Sequence, residues 1–556
     1  MRNSNWTGTF TATVQDSGYD NGSGSYQGDF NFTIFIPTPN PGTPPAPPPN
    51  LAANRLMGTF RCSVKINDTV ATIGDRYGYT QVWNGKGAGD IMGSYDPATN
   101  TVSLSSWIMI PTTIAATLTP TPPNQLTPGA RPQFTVNNTL APVGDPTRPL
   151  GYQPPATVDL GPNAPLGYYL GCALQVIASG SSAGPITLSL NNRGAQTVVQ
   201  NSPGGGDLGS PDGTTRVVTW TFVLTPPQYV VELDLDTTEL NPSSAQLTTP
   251  GANKLTSTLT VTVTADGQPD KSRDVNITVC TAIGGAGTDG HLHDSRGDPC
   301  DASRPAGQVT GSDGAPTSSY PVTVTTDGTG VVTSTYYPPN IAAGGPYISG
   351  TDQITVEVQD PTIQDKTDLT NEQDIITRVP DLAAMPGSAD CTGGGTYYFV
   401  SQNQHGCMFY GTAAANQAVV AIANEFAAAQ IACRDGAAYP ATDAGAPTFT
   451  TPGEPKPIRI TAMSLPWGGL NDLQGNWAAP HISHNSGTQV DLGWHDFVTG
   501  TNAGVATSWD TDRVLLLQTI ITNYPGATLP VTAEGRDITA TQAEGNNAHF
   551  HILFAQ

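Results

Sequence analysis

Apolar side chains recurring at every second position dominate this chain as far as Asp360, and that pattern restricts most of it to sheet structure. Phe10, Ala12 and Val14 alternate with polar residues after Gly8-Thr9, and Phe60, Cys62, Val64 and Ile66 do the same after Gly58-Thr59. A period of two places each set on one face of a strand. The shared Gly-Thr-Phe start points to paired strands or a short internal repeat. Between the two runs, the segment from Pro37 to Asn50 holds eight prolines. Proline has no amide donor and sustains neither a ladder nor a helix, so this segment is expected to be an extended spacer or a long surface loop.

Short alternating runs continue from Arg55 to about Pro227, broken by Gly, Pro and Asn, as in a sandwich-like all-β domain or two small ones. A further unit is marked by Val231, Leu233 and Leu235, by Leu259, Val261 and Val263, by Val322 and Val324, and by Ile354, Val356 and Val358. Their intervals suit a sandwich, and the region resembles the immunoglobulin-like repeats of bacterial surface proteins in style. The expected organisation is therefore an N-terminal β segment (1–36), a Pro-rich spacer or loop (37–50), all-β structure (51–228), and an immunoglobulin-like domain (229–360) interrupted by an insertion (283–304). A junction (361–390) and an α+β domain (391–556) follow. With 61 glycines and 49 prolines in 556 residues, several modest domains are expected in place of one large core.

Charge narrows the function classes. The net charge is −23 with only 12% of residues charged, which leaves no basic surface for a nucleic acid backbone. Thr, Ser, Asn and Gly do the solvating, a composition expected of an exported bacterial protein, hence an extracellular or cell-surface location. No run of about 20 apolar residues reads as a membrane span, and Met1-Arg2-Asn3-Ser4-Asn5-Trp6 lacks the basic and apolar regions of a signal peptide. The seven cysteines (62, 172, 280, 300, 391, 407 and 433) form no CxxC pair. Spacing favours Cys280 with Cys300 and one pairing among Cys391, Cys407 and Cys433, with connectivity open.

Helical periodicity appears only near the end. From Ala413 to Ala432, Val419, Ile422 and Phe426 share a face and Thr412 is placed to cap the start. From Asp510 to Ile521, Val514, Leu517 and Ile521 form a second stripe. Strands are expected at Pro457–Thr461, Val490–Leu492 and His549–Phe554. Six of eight histidines (405, 481, 484, 495, 549 and 551) fall in this region. Gly487 permits a turn that brings His484 toward Asp491, and a strand puts His549 and His551 on one face ~6.6 Å apart. Two imidazoles and a carboxylate suit Zn²⁺ with a fourth position open. His484, Asp491 and His551 are thus the expected ligands, and His549 the general base that takes a proton from water and returns one to a leaving amine. A weaker metal candidate is His291, His293 and Asp294 in the insertion, which otherwise reads as an ordinary loop.

The stretch Ser483-His484-Asn485-Ser486-Gly487-Thr488-Gln489-Val490-Asp491 resembles the Ser-His-x-x-Gly-x-x-Val-Asp signature of penicillin-insensitive murein endopeptidases, and His549-Phe550-His551 resembles their closing His-x-His. These are zinc peptidases of the lysostaphin, D-Ala-D-Ala carboxypeptidase and hedgehog fold group. The resemblance spans about Val400 to Gln556 and implies the same roles for His484, Asp491, His551 and His549, with cleavage of peptidoglycan cross-link peptides. Relatives place another histidine shortly before the last motif, where this chain reads Glu544-Gly545-Asn546-Asn547-Ala548. An assisting role is then missing or falls to His481, His495 or Asp496, in that order. His405 lines the cleft or packs locally, and Trp467, in Met463-Ser464-Leu465-Pro466-Trp467-Gly468-Gly469, is a substrate wall or a core aromatic.

Two readings of function follow. One is a secreted or cell-surface zinc metallopeptidase acting on peptide or peptidoglycan amide bonds at the end of a β stalk. The alternative is a structural or adhesive extracellular protein whose peptidase-like domain has no turnover, its β modules binding a cell-surface partner or self-assembling.

Overall fold

The computed structural model describes residues 2–17, 20–36, 54–70, 78–121, 133–136, 186–203, 215–241, 254–281, 290–291, 304–339, 348–402, 405–434, 455–471, 477, 484–493, 498–502, 505–509, 511–529 and 549–555. The Pro-rich segment and nearly all of the 283–304 insertion lie outside them. The chain divides into two compact units, one of Met1–Val230, Thr264–Arg273 and Gln359–Leu369, the other of Val231–Val263, Asp274–Val358 and Thr370–Gln556. Its described part is mostly β structure arranged in several sheets. Among the described residues no helix is long and apolar enough to cross a membrane.

The first unit is built on a nine-stranded sheet. Arg2–Ser17 pairs Asp20–Ile36 antiparallel, which in turn pairs Arg55–Val70. The division into 1–36 and 51–228 therefore does not hold, because these strands are neighbours in one ladder. The shared Gly-Thr-Phe runs flank a common partner: Phe30 lies opposite both Gly8 and Phe60. Glycine is required at Gly28, where an added Cβ would lie 2.0 Å from the Arg61 carbonyl oxygen and 2.7 Å from the Phe10 ring. Thr215–Thr225 closes onto the other edge of Arg2–Ser17, and Phe10, Tyr26, Phe30, Trp220 and Phe222 join as a buried aromatic cluster.

In the second unit, the expected alternating runs form two sheets. Ser257–Ala265 pairs Val331–Tyr337 in one, and Asp274–Thr281 pairs Gly350–Val358 in the other. Leu259, Val261, Val275, Ile277, Ile354 and Val356 are buried. The stretch 361–390 is more than a junction, since Thr370–Thr377 pairs Gly350–Val358 over eight residues. Only Ile375 and Thr377 of that strand are buried, so its polar sequence hides it.

The C-terminal part is α+β. Strand β1 (Tyr397–Phe399) pairs parallel to β2 (Ile458–Ala462) across the crossover helix α1 (Ala413–Arg434). Strand β3 (Gln489–Gly493), helix α2 (Thr511–Asn523), β4 (Ala527–Thr528) and β5 (His549–Phe554) complete it, with sheet order β1-β2-β3-β5-β4. The Thr412 hydroxyl accepts the Ala415 amide at 3.1 Å, the expected cap. Val419, Ile422 and Phe426 of α1 and Val514, Leu517 and Ile521 of α2 are buried in one core with Ile460, Val490, Leu492, Phe550 and Ile552. A disulfide joins Cys391 to Cys407. Cys62 and Cys280 are also disulfide-bonded; Cys300, the partner that spacing favours for Cys280, lies outside the described residues.

Candidate metal centre

Strand periodicity builds the centre. Val490 and Leu492 of β3, with Phe550 and Ile552 of β5, point into the helix-covered core, so Asp491, His549 and His551 fall on the opposite face. The strands are antiparallel and place Asp491 directly across from His551, with His549 two residues along opposite Gly493. Across from Asp491 on the other side, the β2–β3 register shifts between Ile460 and Ala462. Such an irregularity re-aims side chains beside it.

His484 arrives from the turn before β3. Gly487 has φ 77°, and an added Cβ would lie 2.2 Å from Leu382 Cδ2. Its carbonyl oxygen accepts the Thr412 amide at 2.9 Å, tying the turn to the start of α1. The turn folds back because only glycine takes this conformation cheaply in so tight a space.

The result is a compact cluster. Asp491 Oδ1 is 2.7 Å from His551 Nδ1, and Oδ2 is 3.1 Å from His484 Nε2 and 3.5 Å from His549 Nε2. The rings of His484 and His551 stand 5.1 Å apart, edge to face. Asp491 is 3% exposed and His484 1%, while the His549 side chain is 26% exposed, so His549 alone of the four offers a face toward solvent. Burial works against the charged form of Asp491. The positive charge available on His484, hydrogen bonds from His484 and His551, and nearby His549 outweigh it and hold the carboxyl well below the usual carboxylate range.

The donor set fits a divalent metal. His484 Nδ1 lies 3.2 Å from the Gln489 carbonyl oxygen, which can only accept, so Nδ1 carries the proton. In the neutral ring Nε2 then presents a lone pair to the ionised Asp491. Two acceptors at that distance need a cation between them, a proton or a metal ion. A ligand imidazole whose other nitrogen donates to a carbonyl is the arrangement that fixes tautomer and orientation. His484, Asp491 and His551 are the one group of three among the described residues whose ligand atoms all lie within 4.8 Å of one another.

The other expected residues are placed differently. His405 is fully buried, its Nδ1 3.0 Å from the Gly290 carbonyl oxygen and its ring 5.3 Å from that of His291. His291 is equally buried and lies 4.4 Å from the Trp477 ring, packed between side chains. Trp467 is half-buried. His481, His495, Asp496, His293 and Asp294 lie outside the described residues. Sequence reasoning missed the Gln489 carbonyl, since a backbone oxygen leaves no residue signature, and the contacts that Gly468-Gly469 makes with Asn485. The glycine pair is the one local sign of the latter. No protein-family model matches this chain, and no characterised protein matches it in sequence.

Proposed function

We propose that the C-terminal region is a zinc-dependent peptidase hydrolysing peptide amide bonds, with peptidoglycan cross-link peptides as its substrate class. The observation that carries the proposal is the convergence of His484, Asp491 and His551 within 4.8 Å beside a partly exposed His549. Zinc, when bound, supplies Lewis acidity toward a scissile carbonyl and acidifies water. The chain's own residues do the remainder. His484 and His551 present nitrogen donors from a turn and a strand, and Asp491 supplies negative charge in a buried setting. His549 accepts a proton from the attacking water at Nε2 and returns it to the leaving amine. The likeness of Ser483–Asp491 and His549–His551 to the murein endopeptidase motifs assigns the same four roles. The Cys391–Cys407 disulfide favours an oxidising compartment, and with it a secreted or cell-surface location.

A second reading has one observation behind it. Asp491 contacts both imidazoles directly, so the cluster also coheres as a hydrogen-bonded unit, as a structural or adhesive protein without turnover would need. The test is zinc content together with peptide release from purified peptidoglycan. The peptidase reading expects one zinc per chain, with release that His549→Ala abolishes while zinc stays bound. Zinc without release from wall or generic peptides would favour the structural reading, and a zinc-free native chain rejects the metal centre.

A further inference from the structure

The turn that carries His484 is gripped from the β sandwich. The Gly469 amide donates to the Asn485 carbonyl oxygen at 2.8 Å, so the ribbon Trp467-Gly468-Gly469 pairs with the residue next to His484. The same ribbon is bonded to the sandwich. The Trp467 carbonyl oxygen accepts the Val379 amide at 2.8 Å, and the Gly468 carbonyl oxygen accepts the Ser349 hydroxyl at 2.8 Å. Val379 follows the strand Thr370–Thr377 and Ser349 precedes Gly350–Val358, neighbours in one sandwich sheet.

Gly468 shows how thin the connection is. Its φ is 68°, and a Cβ there would lie 2.5 Å from Val379 Cγ2 and 2.6 Å from the Asn485 carbonyl oxygen. A single backbone strand thus separates the sandwich from the His484 turn. A second grip lies alongside. A Cβ on Gly290 would lie 2.5 Å from Pro466 Cδ, its carbonyl meets His405, and His291 packs on Trp477, which is buried with Ile348 and Leu470.

We infer that the sandwich is part of the metal centre, with Ser349 a positioning residue that sets His484 through the ribbon. The inference rests on the metal-centre reading above. Ser349 is fully buried, so removing its hydroxyl leaves the Gly468 carbonyl short of a donor where water cannot readily replace it. The ribbon is then free to shift, and a metal site weakens when the groups that orient its ligands are lost, by about 10–100-fold in affinity.

The experiment measures zinc affinity of the full chain against a competing chromophoric chelator. Ser349→Ala should bind zinc about tenfold more weakly than the native chain, and Gly468→Ala at least as weakly. Ile422→Val, which shortens an apolar helix side chain of the C-terminal core that makes no hydrogen bond to the ribbon, should leave affinity unchanged, separating positioning from general loss of stability. Native affinity in Ser349→Ala, in a chain whose unaltered form binds zinc, overturns the inference and leaves the metal centre standing. Equal weakening by Ile422→Val also overturns it. Absence of zinc binding in the native chain removes the metal centre itself, and the inference with it. If Gly468→Ala fails to fold, Ser349→Ala decides alone.

Discussion

Replacing Asp491 with Asn separates the roles of charge and shape at the centre. The two side chains have nearly the same volume, so packing around β3 and β5 is preserved. Asp491 serves His551 through Oδ1 and His484 through Oδ2, whereas an amide keeps one acceptor and turns a donor toward the other imidazole. In zinc-free protein the variant exchanges the charge-assisted bond to His484 for a neutral one, in which the amide donates to the Nε2 lone pair, at a net cost of about 1 kcal/mol. Zinc then widens the gap. At a free concentration of about a hundred times Kd it stabilises the native chain by about 2.7 kcal/mol, and a variant without the anionic ligand gains essentially none at that concentration. The difference between native and variant should therefore rise from about 1 to about 4 kcal/mol on replacing chelator with zinc. Urea denaturation in both conditions, following the transition that zinc moves, reads this directly. A gap of the same size with and without zinc would refute Asp491 as a ligand.

Three further outcomes are expected. In zinc-free protein the depressed folded pKa of Asp491 contributes stability that is complete above the unfolded carboxyl value of about 3.9 and is lost as pH falls toward the lower folded value; Asp491→Asn should flatten that acid limb, and an unchanged limb in an acid titration counts against the assignment. Cys391→Ser with Cys407→Ser opens a disulfide of sequence separation 16, which should cost about 3 kcal/mol; an unshifted urea midpoint under oxidising conditions contradicts this. Phe426→Ala empties a fully buried site facing the sheet and should destabilise the C-terminal region by about 3–5 kcal/mol, with a loss below 1 kcal/mol showing that the helix packs otherwise.

The C-terminal elements were largely legible because each has a strong local period. The two apolar stripes give α1 and α2 to within a few residues, Thr412 marks the first turn, and β5 is bounded as the alternation of His549 to Phe554 implies. The meeting of His484, Asp491 and His551 could be anticipated from a glycine turn and two alternating strands, since each depends on short-range geometry. Thr370–Thr377 escaped notice because a strand with only Ile375 and Thr377 buried has almost no apolar pattern. The pairing of Arg2–Ser17 with Thr215–Thr225 joins segments far apart in the chain, and no local window reports such a partner. For His405 the sequence leaves cleft lining and local packing both open; it is buried, and its neighbours Gly290 and His291 come from a distant insertion that no local window reports.

Which side chains share a face follows from local sequence alone. Alternation divides Asp491, His549 and His551 from the apolar residues that bury β3 and β5, and a side-chain period of two is a property of the backbone that needs no partner. What stands against that face is set by contacts between distant segments. The register that sets Asp491 opposite His551 and the β2 irregularity beside it depend on strand pairing. The bonds from Ser349 and Val379 to the ribbon that pairs with Asn485 depend on packing between distant segments. Such contacts form when many buried groups satisfy one another at once, and no single stretch of sequence carries that condition.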